Sequence, residues 1–349
     1  MTTTIRWDSS TAYDFFISLF VLHHAIEFGL RPSWAAGVRQ RIPSPKREFL
    51  EKVYSFAAVP LEWIYDLPNP KDAVTTLRSA ADLAPADRFE ALTLPSDIPA
   101  EVRETLRGIA VRGAWTSEEK DFLGTQFSRR GKELKPAGLE NLLRVWSKSQ
   151  KSGDLLQEAL NEYYQVFFAE EEHRVRPALE QGLERAQKLA GRLAVDALVD
   201  ELSRGVRFEE LESVKELVLV PSYWSAPLVF RARPKADKAL IVFGARPEVE
   251  SVAPGAETPD LLVSALKSLG DPTRLRILRY LAGQPLTPTE LARRLRLRPP
   301  TVIHHLRALR LAGLVSVIVS EDGEKRYTAR LEALNGIYTS LQDFLKKQD

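Results

Sequence analysis

The stretch Thr287-Pro-Thr-Glu-Leu-Ala-Arg-Arg-Leu-Arg-Leu-Arg-Pro-Pro-Thr-Val-Ile-His-His-Leu-Arg-Ala-Leu-Arg-Leu-Ala-Gly313 reads as two helices and a tight turn. Thr287 and Glu290 have the spacing of a capping box, in which each side chain satisfies a backbone N–H of the other. Leu291 and Leu295 then share one helical face. Arg296-Leu-Arg298 is long enough only for a turn. Pro299 and Pro300 open the second helix, because proline in a first turn forfeits no intrahelical bond. That helix buries Val302, Leu306 and Leu309 and ends at Gly313.

Outward from this pair the pattern continues. Leu262, Leu266 and Leu269 stripe a helix that stops at Gly270, and Asp271-Pro272 caps another with Leu275, Ile277, Leu278 and Leu281 inward. Downstream, Glu321-Asp-Gly323 separates the run Leu314–Ser320 from the run Glu324–Arg330, which is a hairpin signal. A last helix carries Leu331, Leu334, Ile337, Tyr338, Leu341, Phe344 and Leu345. Helix, turn, helix, hairpin is the order of a winged helix-turn-helix. In that architecture the second helix enters a DNA major groove and the wing reaches phosphates.

Charge is distributed to match. Residues 258–349 hold 15 Lys and Arg against 9 Asp and Glu, whereas residues 1–257 hold 34 against 38. Between Asp271 and Arg310, nine arginines face only Asp271 and Glu290. A concentrated basic segment in a balanced chain is the footprint of a polyanion partner.

The motif set as a group resembles the ArsR-type winged-helix regulators: Leu269-Gly-Asp-Pro-Thr-Arg-Leu-Arg-Ile-Leu278, Thr289-Glu-Leu-Ala292, Thr301-Val-Ile-His-His-Leu-Arg-Ala-Leu309, Ala312-Gly-Leu-Val315 and Lys325-Arg-Tyr327. The resemblance covers about the last quarter of the chain. It implies a homodimer formed through the first and last helices of this domain, a two-fold-symmetric operator in double-stranded DNA, and transcriptional control relieved by a ligand. Two departures narrow this. Family members that sense metals use cysteines near 285–291 or His and acidic ligands on the last helix. This chain has no cysteine and no His on that helix, so no metal site is expected. In addition, Pro299, Pro300 and Ile303 stand where the family often has Gln or Ser, and these apolar groups suit thymine methyls rather than bidentate hydrogen bonds.

The residues expected at DNA are therefore Arg298, Pro299, Pro300, Thr301, Ile303, His304, His305, Arg307 and Arg310 on the helix 299–313, with Lys325 and Arg326 on the wing 314–330. Helical spacing turns His304 outward and leaves His305 at the margin, either on a phosphate or in a structural hydrogen bond.

Before this module, the 349-residue chain has room for a second, larger domain at ~150 residues per domain. The stretch 245–258, with two prolines and a glycine, reads as a linker between a domain at 1–244 and one at 259–349. Helices are expected over 11–28 after the Asp8-Ser-Ser cap, from Ser44-Pro45, from Asn69-Pro70, after Thr116, and from about Pro177 to Leu202. Glu216–Pro221 and Ala239–Phe243 read as strands, with Ile5-Arg-Trp7 as a third strand of the same sheet. The fold class is thus mainly α: a large helical domain with a small β-sheet, joined to a winged helix-turn-helix.

All six tryptophans fall in the first domain. It has no phosphate-cradling Gly-rich loop, no nucleophile elbow and no His-Glu-x-x-His pair, so no enzyme and no cofactor is indicated. Glu170-Glu-Glu-His173 is a solvated charged face in preference to a metal site, and His23-His24 is a core or interface pair. With 44% hydrophobic residues, no apolar run near the ~18 needed to span a membrane, and no thiol, the chain reads as cytoplasmic. The expected role is a non-enzymatic DNA-binding regulator, a homodimeric repressor whose first domain binds a small non-metal effector. The alternative makes that domain a protein-interaction or dimer-extending module.

Overall fold

The computed structural model describes residues 3–95, 97–129, 134–209, 211, 214–247, 260–320 and 324–346. The chain opens with strand β1 (Thr4–Trp7) and helix α1 (Thr11–His23). Helices α2 (Pro32–Arg39), α3 (Ser44–Val53), α4 (Leu61–Tyr65), α5 (Ala73–Ala81), α6 (Pro85–Thr93), α7 (Ala100–Arg112), α8 (Ser117–Arg129), α9 (Pro136–Trp146), α10 (Ser149–Tyr163), α11 (Ala169–Ala190) and α12 (Val195–Leu202) follow. Strands β2 (Val206–Phe208), β3 (Glu216–Ser222), β4 (Phe230–Lys235) and β5 (Lys238–Gly244) come next. The C-terminal part contains α13 (Asp260–Leu269), α14 (Pro272–Leu281), α15 (Pro288–Leu295), α16 (Pro299–Leu311), β6 (Val315–Val319), β7 (Lys325–Ala329) and α17 (Glu332–Lys346). Most of the expected linker (248–258), residue 259 and the hairpin tip 321–323 lie outside the described residues.

The aromatic residues of the first domain are mostly its core. Tyr13, Phe15, Tyr163, Phe168, Trp146 and Trp224 are almost fully buried, and Phe15 packs edge-on against Phe168 with ring centroids 5.2 Å apart. Burial of a ring of this size stabilises by about 1.5–3 kcal/mol. His23 and His24 belong to the same packing. His23 stacks on Tyr54 and His24 on Phe20, and each Nδ1 meets the carbonyl four residues earlier. Burial pushes His23 down to about 4, so its ring is neutral at pH 7.

Local chemistry corrects several boundaries. The first helix ends at His23 and gives way to a 3-10 turn, Ala25–Phe28. The helix expected from Asn69-Pro70 starts at Ala73, because the Asp72 carboxylate accepts from the Thr75 N–H at 2.7 Å and caps it there. Thr116 and Glu119 form a reciprocal capping box at the head of α8. Pro177 does not open a helix. It sits inside α11, which continues from α10 through a π turn at Tyr164–Phe168. The helix then stops at Gly191, and α12 is separate.

Two sheets form. The larger has the order β1-β3-β5-β4, with β1, β3 and β5 parallel and β4 antiparallel at the edge. The predicted strands are β1, β3 and β5; β4, with its alternating Arg231, Arg233 and Lys235, is the missed edge strand. The smaller sheet has the order β2-β6-β7 and joins the two halves of the chain.

The larger sheet is tied to α1 through Asp14, which is fully buried. Its carboxylate accepts from the Ser222 hydroxyl at 2.7 Å and from the N–H groups of Tyr223 and Trp224 at 3.1 and 2.9 Å. Burial nonetheless dominates and pushes Asp14 up to about 6. The folded state therefore holds this proton more tightly than the unfolded chain, and the contribution of Asp14 to stability falls as pH rises from about 4 through 6. Asp14→Asn, which cannot titrate, is expected to be less stable than the parent. The gap in Tm should widen as pH falls from 7 to 4; a gap that stays constant across that range, followed by circular dichroism, would contradict the assignment.

Candidate nucleic-acid interface

The C-terminal module is built by its caps. The Asp271 carboxylate accepts from the Arg274 N–H at 2.9 Å and starts α14. Thr287 and Glu290 form the capping box at α15, and Thr287 N–H donates to Glu290 at 2.8 Å. The turn after α15 passes through Arg296, which has a left-handed φ of 56°. A non-glycine residue there costs about 1–2 kcal/mol. The compensation is the position of α16, whose Val302, Leu306 and Leu309 are buried against Ile277, Leu281, Leu291 and Leu314. Leu286 pairs with Tyr327 through two backbone hydrogen bonds, so β7 is held to the helix pair. Leu275, expected inward, is 48% exposed.

Helix α16 presents its polar candidates on one flank. Arg298, Pro299, Pro300, Thr301, Ile303, His304 and Arg307 are all exposed, and His305 is half-buried at the margin. Among the described residues, Arg298 and Arg307 have no carboxylate within ion-pair distance. Lys325 and Arg326 are exposed on β7; Arg326 bridges Glu324 at 3.1 Å and approaches Glu290 at 3.9 Å. Burial lowers the titration range of His305, and its Nδ1 has no hydrogen-bond partner. Pro299 and Pro300 occupy the first two helical positions, so two of the N–H groups that a helix start offers to a phosphate are missing. The tip of α16 is apolar, and its charge comes from the flanking Arg298 and Arg307.

Arg310 is a correction. It is only 7% exposed, although it lies two turns along the same side of the helix as the exposed Ile303. Its guanidinium donates to the carbonyls of Ser203 and Arg204 at 2.7 and 2.9 Å, closing the C-terminal end of α12. Burial pushes it down to about 10, so it stays charged at pH 7. Next to it, β2 runs parallel to β6 with Val206, Arg207 and Phe208 opposite Val317, Ile318 and Val319. Gly205, at φ +92°, has no room for a Cβ beside the Ser316 hydroxyl. The segment that follows α12 therefore supplies a strand to the sheet of β6 and β7 and a carbonyl socket to α16. Sequence reading missed this because three residues are too few to show strand periodicity, and Arg310 continues the basic run of its neighbours. The glycine at 205, directly before Val-Arg-Phe, is the sequence hint of a turn into a strand.

Elsewhere, Glu170 and His173 are exposed, while Glu171 and Glu172 are buried in contacts with Arg174 and with Thr11 and the Ala73 N–H. Among the described residues no group of three or more His, Asp or Glu side chains is placed to hold a metal ion, and no helix is long and apolar enough to cross a membrane.

Residues 271–317 match the model of a family described as bacterial regulatory protein, arsR family. The C-terminal region thus carries an ArsR-family helix-turn-helix domain, which suggests a DNA-binding transcriptional regulator. Neither curated proteins nor solved structures give a match.

Removal of the Arg310 side chain would take a donor from the buried Ser203 carbonyl and from the half-buried Arg204 carbonyl, at about 1–3 kcal/mol per group. Arg310→Ala is expected to lower stability by about 2–4 kcal/mol in urea unfolding, whereas Arg307→Ala stays within about 0.5 kcal/mol. Equal, small effects would show that the socket at Ser203 and Arg204 does not hold the helix.

Proposed function

We propose that this protein is a homodimeric transcriptional repressor acting in the cytoplasm. It reads a two-fold-symmetric operator through helix 299–313 and wing 314–330, and a non-metal small molecule bound by the first domain modulates it. The observation that carries the DNA reading is the exposed flank Arg298, Thr301, His304 and Arg307 beside Lys325 on the wing, free of internal acids apart from the surface pairs of Arg326. Arg298 and Arg307 supply guanidinium forks to phosphates or guanine edges, while Pro299, Pro300 and Ile303 offer apolar surface to thymine methyls. Nothing in this role requires chemistry on a substrate, and we assign no enzymatic activity.

Dimerisation is supported by an unpartnered apolar face. Helix α17 has no buried residue, and Leu331, Leu334, Tyr338 and Leu345 are 55%, 38%, 63% and 69% exposed. Leu266 on the adjoining α13 is 41% exposed and adds to the patch. A second copy would cover this face and place two recognition helices for half-sites ~10 bp apart, or a multiple of that.

Two measurements check this reading. In fluorescence anisotropy with a duplex selected from a random pool, Arg298→Ala and Arg307→Ala should each weaken binding about ten-fold, while the exposed Arg185→Ala stays near the parent. The log affinity should fall with log salt at a slope near −0.9 per phosphate neutralised. Equal effects of the three variants would remove α16 from the interface. In sedimentation, the double change Leu334→Glu and Tyr338→Glu should convert a dimer to monomer and cut operator affinity at least ~10-fold, through loss of the second half-site. A dimer that persists would place the interface elsewhere.

A further inference from the structure

We propose that the turn between α15 and α16 is a phosphate anchor, in which Arg296 and Arg293 grip the DNA backbone beside the groove that α16 enters. The inference rests on the DNA-binding reading above and adds to it a backbone contact outside both the helix and the wing. It starts from what the beginning of α16 lacks. A helix start usually meets a phosphate with its free backbone N–H groups. Pro299 and Pro300 remove two of these donors, so a phosphate at this end has to be met by side chains.

The turn carries such side chains at a conformational cost. Arg296 has φ 56° and ψ 43°, a left-handed conformation that glycine adopts freely and arginine does not. The turn itself makes no use of the arginine side chain. The Arg296 N–H meets the carbonyls of Ala292 and Arg293, the Leu297 N–H donates to the Ala292 carbonyl at 3.0 Å, and Leu297 packs on the core of the winged helix. Glycine at 296 would keep every one of these contacts. The Arg296 side chain is instead exposed, as is that of Arg293 one turn earlier, and neither has a hydrogen bond or ion pair among the described residues. Nearby arginines are engaged: Arg294 lies 5.8 Å over the Tyr280 ring, and Arg274 donates to the Lys267 carbonyl at 3.4 Å. The acid next to this group in sequence is Glu290. Its carboxylate already accepts from the Thr287 N–H and hydroxyl at 2.8 and 3.1 Å and stands 3.9 Å from Arg326. Arg293, Arg296 and Arg298 are thus three unneutralised guanidinium groups at the end from which α16 starts. Their planar forks match the oxygens of a phosphate.

The test uses the full chain and the selected duplex, with affinity followed over a salt series. Arg296→Gly removes the cation and also relieves the left-handed backbone. The expected result is a split: duplex affinity falls about five-fold or more, while Tm stays at or above that of the parent. The slope of log affinity against log salt becomes shallower by about 0.9 per bound chain, as one phosphate contact is lost. It becomes shallower again when Arg293→Gln is added. Arg296→Lys keeps the charge and stays within about three-fold of the parent. The preference for the selected duplex over one with an altered half-site changes less than about two-fold, because a backbone contact carries no sequence information. Unchanged affinity and slope in Arg296→Gly, where Arg298→Ala and Arg307→Ala do weaken binding, would overturn the anchor and leave the DNA reading standing. A Tm lowered by several degrees would make the side chain part of the fold, and a changed sequence preference would make it a base contact. Either result overturns the phosphate assignment. A parent chain that binds no duplex would sink the DNA reading and the anchor with it.

Discussion

Taking a guanidinium out of water is tolerable only where its N–H groups find acceptors, and Arg310 finds them in the two residues that follow another helix. The backbone N–H groups of Ser203, Arg204 and Gly205 close the last turn of α12, and the carbonyls of Ser203 and Arg204, just past it, receive the two terminal nitrogens of Arg310. A helix C-terminus carries partial negative charge, so the cation is matched electrostatically as well as by hydrogen bonds. The contact spans sequence separations of 106 and 107 residues. It joins the C-terminal end of α16 to the segment after α12, alongside the pairing of β2 with β6, while Val302, Leu306 and Leu309 seat the helix in its own core. Everything that α16 presents outward follows from that seat.

Helix α16 thus divides its side chains among three tasks, and the last two share one side of the helix at successive turns. Val302, Leu306 and Leu309 close the core of the winged helix. Ile303, His304 and Arg307 point to solvent. Arg310 and Leu311 turn to the first domain, where Leu311 lies against Gly29 near the end of the 3-10 turn. Two arginines three residues apart therefore serve opposite purposes, and only burial tells them apart. The same division appears in the acids: Asp14 and Glu172 are spent on internal anchors, while Glu324 and Glu290 tune the charge of the wing from its surface.

The C-terminal module was legible because its signals are local. Capping boxes, prolines in first turns and the 3.6-residue apolar stripe are each readable within a few residues, and they locate α14, α15 and α16 almost to the residue. In the first domain, β1, β3 and β5 stood out as β-branched runs, but β4 did not, since an edge strand with arginines and a proline carries no hydrophobic stripe. Pro177 misled for a related reason: the preference of proline for a first turn is statistical, and tertiary packing around α11 overrides it. The exchange of a strand and a salt-free arginine between halves was invisible because both depend on partners more than a hundred residues away.

The shared sheet has a consequence for any attempt to dissect this molecule. Severing the chain in the connecting segment would strip β6 of its outer neighbour and bare a row of N–H and C=O groups beside Val317 and Val319. Such an uncovered margin is a template for pairing with whatever strand is at hand, and other fragments of the same kind would be the nearest supply. The excised winged helix would then self-associate through its wing, a behaviour that belongs to the wound rather than to the intact polypeptide.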